Sequence, residues 1–156
     1  MNLESVSPFI HSLHEQNKLE RVLRKELDTG FFVGKKKLGK ELVFIAGPCS
    51  VENEEMILDS SLAVKAAGCD ALRGGVYKPC TYPVNIEKDG WKEGTREEGL
   101  KFLNSAKNAS GLQVVSEVMS PRQLEAAYDC IDIIQVGTRN FQNYALLDEL
   151  SLASAR

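Results

Sequence analysis

Histidine is scarce in this chain, paired cysteine is missing, and no apolar run is long. The only two histidines, His11 and His14, fall in one amino-terminal segment, and they read as solvent-facing rather than as metal ligands. The four cysteines, Cys49, Cys69, Cys80 and Cys130, are far apart and form no CxxC pair. That argues against a structural zinc site or a disulfide framework and favours reduced thiols. No stretch approaches the roughly 20 apolar residues of a membrane-crossing helix. The start, MNLESVSPFI, lacks the basic beginning and apolar core of a secretory signal. A cytoplasmic protein without a membrane partner is therefore expected. Neither sign of charge is in excess: 19 basic and 22 acidic side chains give a net charge of -3. The electrostatic footprint of a nucleic-acid binder is missing, and no nucleic-acid partner is expected. Glycine-rich turns of the GxGxxG or GxxxxGK[ST] kind do not follow the first apolar strand, which lowers the case for dinucleotide or nucleoside triphosphate binding.

What is present is an ordinary globular composition, 43% hydrophobic and 26% charged over 156 residues, enough chain for one core without staples. Phe9, Ile10, Leu13, Leu19, Val22, Leu23 and Leu27 recur at helical spacing up to Asp28-Thr29-Gly30, which predicts an amphipathic helix with a glycine exit. FFVGKKKLGKE then reads as a short hairpin or loop. From residue 42 a grammar repeats: LVFIAG, DALRGG, LQVVSEVM and IDIIQVG are short apolar runs. Between and after them, helices are predicted from about Asn53 to Ala67, Thr95 to Asn108, through PRQLEAAYDC, and from Asn140 to Leu150. The face predicted for the first of these is Met56, Ile57, Leu62, Ala63 and Ala66. Strands alternating with helices predict a parallel sheet whose strands are covered on both faces. An open doubly wound sheet and a closed barrel share that pattern.

Polar placement favours the barrel. Cys49, Arg73, Lys78, Glu117 and Arg139 lie at or just past the carboxyl ends of successive predicted strands, the catalytic rim of a βα-barrel. Arginines clamp phosphate and carboxylate bidentately, lysine adds a point charge, a thiolate is a metal ligand, and a carboxylate is an acid or base. Taken singly, each has a plainer reading. Cys49 suits a buried small residue, Arg73 or Arg139 a surface ion pair, and Glu117 a solvated strand end. Their shared position sets the functional reading beside the plain one.

The residues also carry a resemblance. Ala46 to Glu52 (AGPCSVE), Leu72-Arg73-Gly74-Gly75, Lys78-Pro79, Ser116-Glu117-Val118-Met119, and Gly137-Thr138-Arg139-Asn140 with Gln142-Asn143 are similar, in order and spacing, to the motifs of type I 3-deoxy-D-arabino-heptulosonate 7-phosphate (DAHP) synthases. The resemblance spans about residues 31 to 150. It implies an α/β fold of the (β/α)8 TIM-barrel family, with about the first four βα units present after an amino-terminal helix and a short hairpin. The division implied is 1–30 helical extension, 31–150 partial barrel and 151–156 tail. The implied activity is an aldol-type transferase reaction that condenses phosphoenolpyruvate with erythrose 4-phosphate in the shikimate pathway of aromatic amino acid biosynthesis.

By position, the resemblance makes Cys49 a ligand of a divalent metal of the Mn, Fe, Co or Zn type. Arg73 and Lys78 become phosphoenolpyruvate-binding groups, Arg139 a phosphate-binding arginine, and Lys78 and Glu117 catalytic groups. Pro79 and Thr81 belong to a loop contacting erythrose 4-phosphate, and Thr138 stands beside the phosphate site. Departures are visible too. Cys80 replaces the family's arginine after Lys-Pro, the following VNIEKDGWKEGTR stretch is longer, and Thr138 replaces an alanine. The family's remaining ligands belong to its later strands, which leaves one metal ligand expected here. Two expectations follow: an amino-terminal half completed by a second copy or a second chain, or an inactive half-barrel that binds phosphorylated ligands or a partner synthase.

Overall fold

A computed structural model describes residues 31–78 and 94–153. The predicted amino-terminal helix lies outside the described residues, as do Pro79, Cys80, Thr81 and the stretch VNIEKDGWKE. The chain divides into two compact units, Met1–Phe31 and Phe32–Arg156. All the described elements belong to the second.

FFVGKKKLGKE is a hairpin: β1 (Phe32–Val33) pairs antiparallel with β2 (Lys36–Lys37). Then follow β3 (Ile45–Ala46), α1 (Glu54–Ala66), β4 (Ala71–Arg73), α2 (Arg96–Ser110) and β5 (Gln113–Glu117). A 3-10 turn, Pro121–Gln123, leads into the short α3 (Leu124–Tyr128). β6 (Ile133–Gln135), a second 3-10 turn (Thr138–Asn140) and α4 (Tyr144–Ala153) complete the order. Strands β3 to β6 form one sheet in sequential order, every pair parallel, with Ile45 opposite Ala71, Ala71 opposite Gln113, and Val115 opposite Ile133.

Local chemistry sets the ends of the helices. The Asn53 side chain accepts from Met56 N at 2.9 Å, and Glu54 and Glu55 occupy the first turn of α1, where a carboxylate favours the helix dipole. Helix α2 stops at Gly111, whose φ of 68 lets its N–H reach back to Lys107 O at 2.8 Å. The last helix begins later than predicted, at Tyr144, because residues 138–140 wind into a 3-10 turn first.

The main core lies between the sheet and its helices. Ile57 of α1, Leu72 of β4, Leu103 and Ala106 of α2, Val114 of β5 and Leu146 of α4 are fully buried in one cluster, each large aliphatic worth about 1.5–3 kcal/mol of burial. The inner face of α1 is Ile57, Leu58, Ser61 and Val64; of the predicted face Ile57 is buried, while Leu62, Ala63 and Ala66 are exposed. Ser61 is tolerated inside because its hydroxyl donates to Leu58 O at 2.7 Å. A polar residue at a core position hid the true stripe.

Alternation along β5 sends Val114 to the helices and Val115 to the other face. That second face holds a small cluster, Val33 of the hairpin with Ala71 and Val115, flanked by Val43 and Ile133. Coverage of both faces is therefore only partly met: Phe44 and Ile45 remain 52% and 45% exposed. Among the described residues, the hairpin through Val33 and the segment before β3 through Val43 pack into that cluster from outside the sheet.

One device recurs at the amino ends of the strands. Asp70 N donates to Phe44 O at 2.8 Å, while the Asp70 carboxylate accepts from Phe44 N at 2.8 Å and from Lys36 Nζ at 3.0 Å. Likewise Asp132 N donates to Val114 O at 3.0 Å, and its carboxylate accepts from Val114 N at 2.8 Å and from Lys107 Nζ at 2.8 Å. An aspartate just before β4 clasps the start of β3, and one just before β6 clasps the start of β5. Gly34 N adds a bond from the hairpin to Gln113 Oε1 at 2.8 Å. No described helix is long and apolar enough to cross a membrane.

Candidate functional site

The carboxyl ends of the same strands are built differently, by close backbone approach. After β3 the chain turns through Gly47 at φ +146, and a Cβ there would collide with the Arg73 carbonyl at the end of β4. Only glycine suits both the dihedral and the space. Val51 N donates to Gly75 O at 2.9 Å, zipping the β3 loop to the β4 loop. A Cβ on Gly74 would lie 2.9 Å from the Leu103 and Val51 side chains, and one on Gly75 would lie 2.6 Å from Cys49 O. The RGG run thus lets the loop fit between the core behind and the cysteine turn in front.

This packing fixes the candidate side chains. Arg73 Nη1 donates to Pro48 O at 3.2 Å and engages the Cys49 thiol. Cys49 is exposed, so the plain reading of a buried small residue does not hold. Its thiol is held below the usual range, first by the hydrogen bond from Arg73, which outweighs an opposing desolvation, and then by the charges of Lys78 and Arg73. Lys78 Nζ stands 3.7 Å from Glu117 Oε2, with the Glu117 side chain only 7% exposed. The solvated strand end expected for Glu117 on the plain reading is therefore replaced by a buried carboxylate paired with a lysine.

Lys78 is held from behind by residues that sequence reasoning missed. Tyr77 is buried, its hydroxyl donates to Glu97 Oε1 at 3.3 Å, and its pKa is pushed up to about 12 by burial and then by the Glu97 charge. Thr95 Oγ1 donates to Val51 O at 3.1 Å, and Arg96 N to Val76 O at 3.0 Å. The start of α2 is thereby pinned to the loop that presents Lys78. The available signal was a tyrosine placed between the apolar Val76 and the charged Lys78.

Thr138 and Arg139 sit on the 3-10 turn after β6, both exposed, and Arg139 makes no ion pair among the described residues. The turn is anchored by Asn143, whose amide donates to Met119 O at 3.4 Å and Asn140 Oδ1 at 3.2 Å while its carbonyl accepts from Leu146 N at 3.3 Å. The structure therefore brings together Cys49, Arg73 and Lys78, and Lys78 with Glu117. Thr138 and Arg139 stand on the turn after β6, with no hydrogen bond or ion pair to them among the described residues. No group of three or more His, Cys, Asp or Glu side chains able to hold a metal exists among the described residues. Cys49 is a single donor, and a closed metal site takes about four, so these residues do not by themselves fit a metal ion.

Comparison with known proteins gives a consistent result. The model of the DAHP synthetase I family matches residues 23–155. The phospho-2-dehydro-3-deoxyheptonate aldolase of Thermotoga maritima is 35% identical over 149 residues, covering 95% of this chain and 42% of that protein. A 2-dehydro-3-deoxyphosphooctonate aldolase of Desulfatibacillum aliphaticivorans is 36% identical over 100 residues, 64% of this chain and 37% of the relative. The crystal structure of the Thermotoga maritima aldolase (DAHP synthase) superposes with a TM-score of 0.65 at 36% identity, covering 78% of this chain and 33% of that one. A truncated form of 3-deoxy-D-arabino-heptulosonate 7-phosphate synthase from Thermotoga maritima gives 0.62 at 34% identity, covering 78% of this chain and 40% of that one. The chain spans less than half the length of the curated relatives it matches.

Proposed function

Because the chain belongs to the DAHP synthetase I family, we propose that it carries the phosphoenolpyruvate-binding part of a synthase that joins phosphoenolpyruvate to erythrose 4-phosphate. The observation that carries this reading is the cluster of Cys49, Arg73, Lys78 and Glu117 at the carboxyl ends of β3, β4 and β5. Phosphoenolpyruvate presents a carboxylate and a phosphate. Arg73 and Lys78 converge beside one exposed thiol, and Arg139 on the next turn makes no ion pair among the described residues, so cations are available for both anionic groups. Glu117, buried next to Lys78, is the group placed to hold or move a proton. Pro79 and Thr81 are proposed to contact erythrose 4-phosphate, and Thr138 to border the phosphate.

In the family's reaction a divalent metal polarises the aldehyde electrophile. Cys49 would supply one donor toward it, and the described residues alone do not complete its site. We read the sheet as four strands of a (β/α)8 barrel, with residues 1–30 as an extension before it. Sequential parallel order and a hairpin across the amino ends support that reading. Four further strands would come from a longer chain, a second copy or a second polypeptide, and sedimentation distinguishes these.

The test is calorimetric titration with phosphoenolpyruvate. Lys78→Ala and Arg73→Ala are each expected to weaken binding about tenfold or more, the scale of a charge-assisted hydrogen bond. Binding that neither substitution changes, or no binding by the native chain, would overturn the reading. Turnover with phosphoenolpyruvate, erythrose 4-phosphate and Mn²⁺, abolished in Cys49→Ala, separates an active chain from one that only binds.

A further inference from the structure

We propose that Gly137 is a positioning residue for Glu117: the missing side chain beyond β6 is a notch that receives the β5 carboxylate and keeps it beside Lys78. Glu117 pairs in register with Gln135, and Val118 N donates to Gln135 O at 3.3 Å. Gly137, two residues beyond the end of β6, caps the 3-10 turn that follows. A Cβ on Gly137 would overlap Glu117 Oε1 and would lie 2.8 Å from Cδ and 3.4 Å from Oε2. The Gly137 backbone itself has φ -70 and ψ 154, an extended conformation open to any L-residue. A side chain here would have to displace the carboxylate, whereas the backbone itself would accept one. Gly47 differs, since its φ of +146 needs glycine regardless of its neighbours.

The notch matters for the charge of the rim. With the carboxylate seated there, Lys78 Nζ stands 3.7 Å from Oε2. Seated, Glu117 offsets one of the cations that face an incoming anion. Displaced, it leaves Lys78 without that offset. The functional consequence rests on the anion-site reading above; the steric one does not.

The first experiment is a thermal double-mutant cycle on the full chain. Gly137→Ala is expected to lower the unfolding midpoint in the native background. In a Glu117→Ala background the same change is expected to be neutral or to raise the midpoint, because alanine replaces glycine without strain once the carboxylate is gone. An equal loss in both backgrounds would overturn the proposal. If Gly137→Ala does not fold, recovery of folding in the double variant supports the notch, and failure of both rejects it.

The second experiment titrates inorganic phosphate. Gly137→Ala is expected to bind it about threefold to fivefold more tightly than the native chain, the scale of a partly exposed ion pair removed from competition. In a Glu117→Gln background it is expected to add nothing further. A general loosening of the site would weaken binding instead, and that result would also reject the proposal. Absence of phosphate binding in the native chain would count against the anion site alone, with the thermal cycle still deciding the notch.

Discussion

The two ends of one parallel sheet use the same pair of charges for opposite ends. At the amino end, Asp70 and Asp132 each accept a lysine at 3.0 and 2.8 Å and, with the same carboxylate, a strand N–H at 2.8 Å. At the carboxyl end, Lys78 and Glu117 stand 3.7 Å apart, and no described backbone N–H donates to the Glu117 carboxylate. The first pairs are engaged with the chain's own backbone. The rim pair is held by exclusion, through glycines that let side chains approach, and so keeps capacity for a ligand. In barrels generally, the amino face serves stability and the carboxyl face chemistry. Here the difference is visible in how each carboxylate is occupied.

The sharpest way to break this contrast is Asp132→Ala. It removes the acceptor of Val114 N and leaves a strand N–H at the edge of the core without its partner, a loss of about 1–3 kcal/mol. A fall in the thermal midpoint of roughly 3–10 °C is expected for a chain of this size. Affinity for phosphoenolpyruvate is expected to stay within about twofold, well under the tenfold that 1.4 kcal/mol represents. A large loss of affinity with no loss of stability would show that the amino end is not merely structural.

The sequence made the rim more legible than the clasps. Cys49, Arg73, Lys78, Glu117 and Arg139 follow apolar runs, so counting strands placed them on one edge without any geometry. The α/β class with its parallel sheet was legible for the same reason. Coverage of both sheet faces was not, because LVFIAG reads as buried while Phe44 and Ile45 are in fact exposed; an apolar run does not say what packs on it. The inner face of α1 was missed because Ser61 satisfies its hydroxyl within its own helix, leaving no mark in the hydrophobic pattern. Asp70 and Asp132 read as ordinary polar residues at strand starts, and their reciprocal bonds depend on register. The burial of Glu117 depends on a glycine about twenty residues away, a contact that only the paired strands reveal.

A smaller effect is expected from Asp70→Asn, and it carries a pH signature. The Phe44 N–H, followed by Lys36, holds the Asp70 carboxyl below the usual carboxylate range. With the folded value depressed, the contribution to stability is present above the unfolded value, about 4, and is lost as pH falls through the folded one. The native chain and Asp70→Asn are therefore expected to differ in thermal midpoint at pH 7 and to converge below about pH 4. A gap that persists unchanged at low pH would remove the charged clasp from the account of the amino end.

The smallest effect contrasts two thiols, one at each end. Cys130, just before β6, is buried; its Sγ donates to Leu100 O at 3.2 Å, and burial pushes its pKa up. Cys49, just after β3, is exposed, and Arg73 pulls its pKa down. Only the thiolate alkylates, so limiting iodoacetamide at pH 7 is expected to label Cys49 before Cys130, as read by peptide mass spectrometry. Arg73→Ala is expected to slow Cys49 and leave Cys130 unchanged, because the arginine acts on the rim thiol alone. Equal slowing of both would mean that the substitution loosened the whole sheet, and the two ends would no longer be independent.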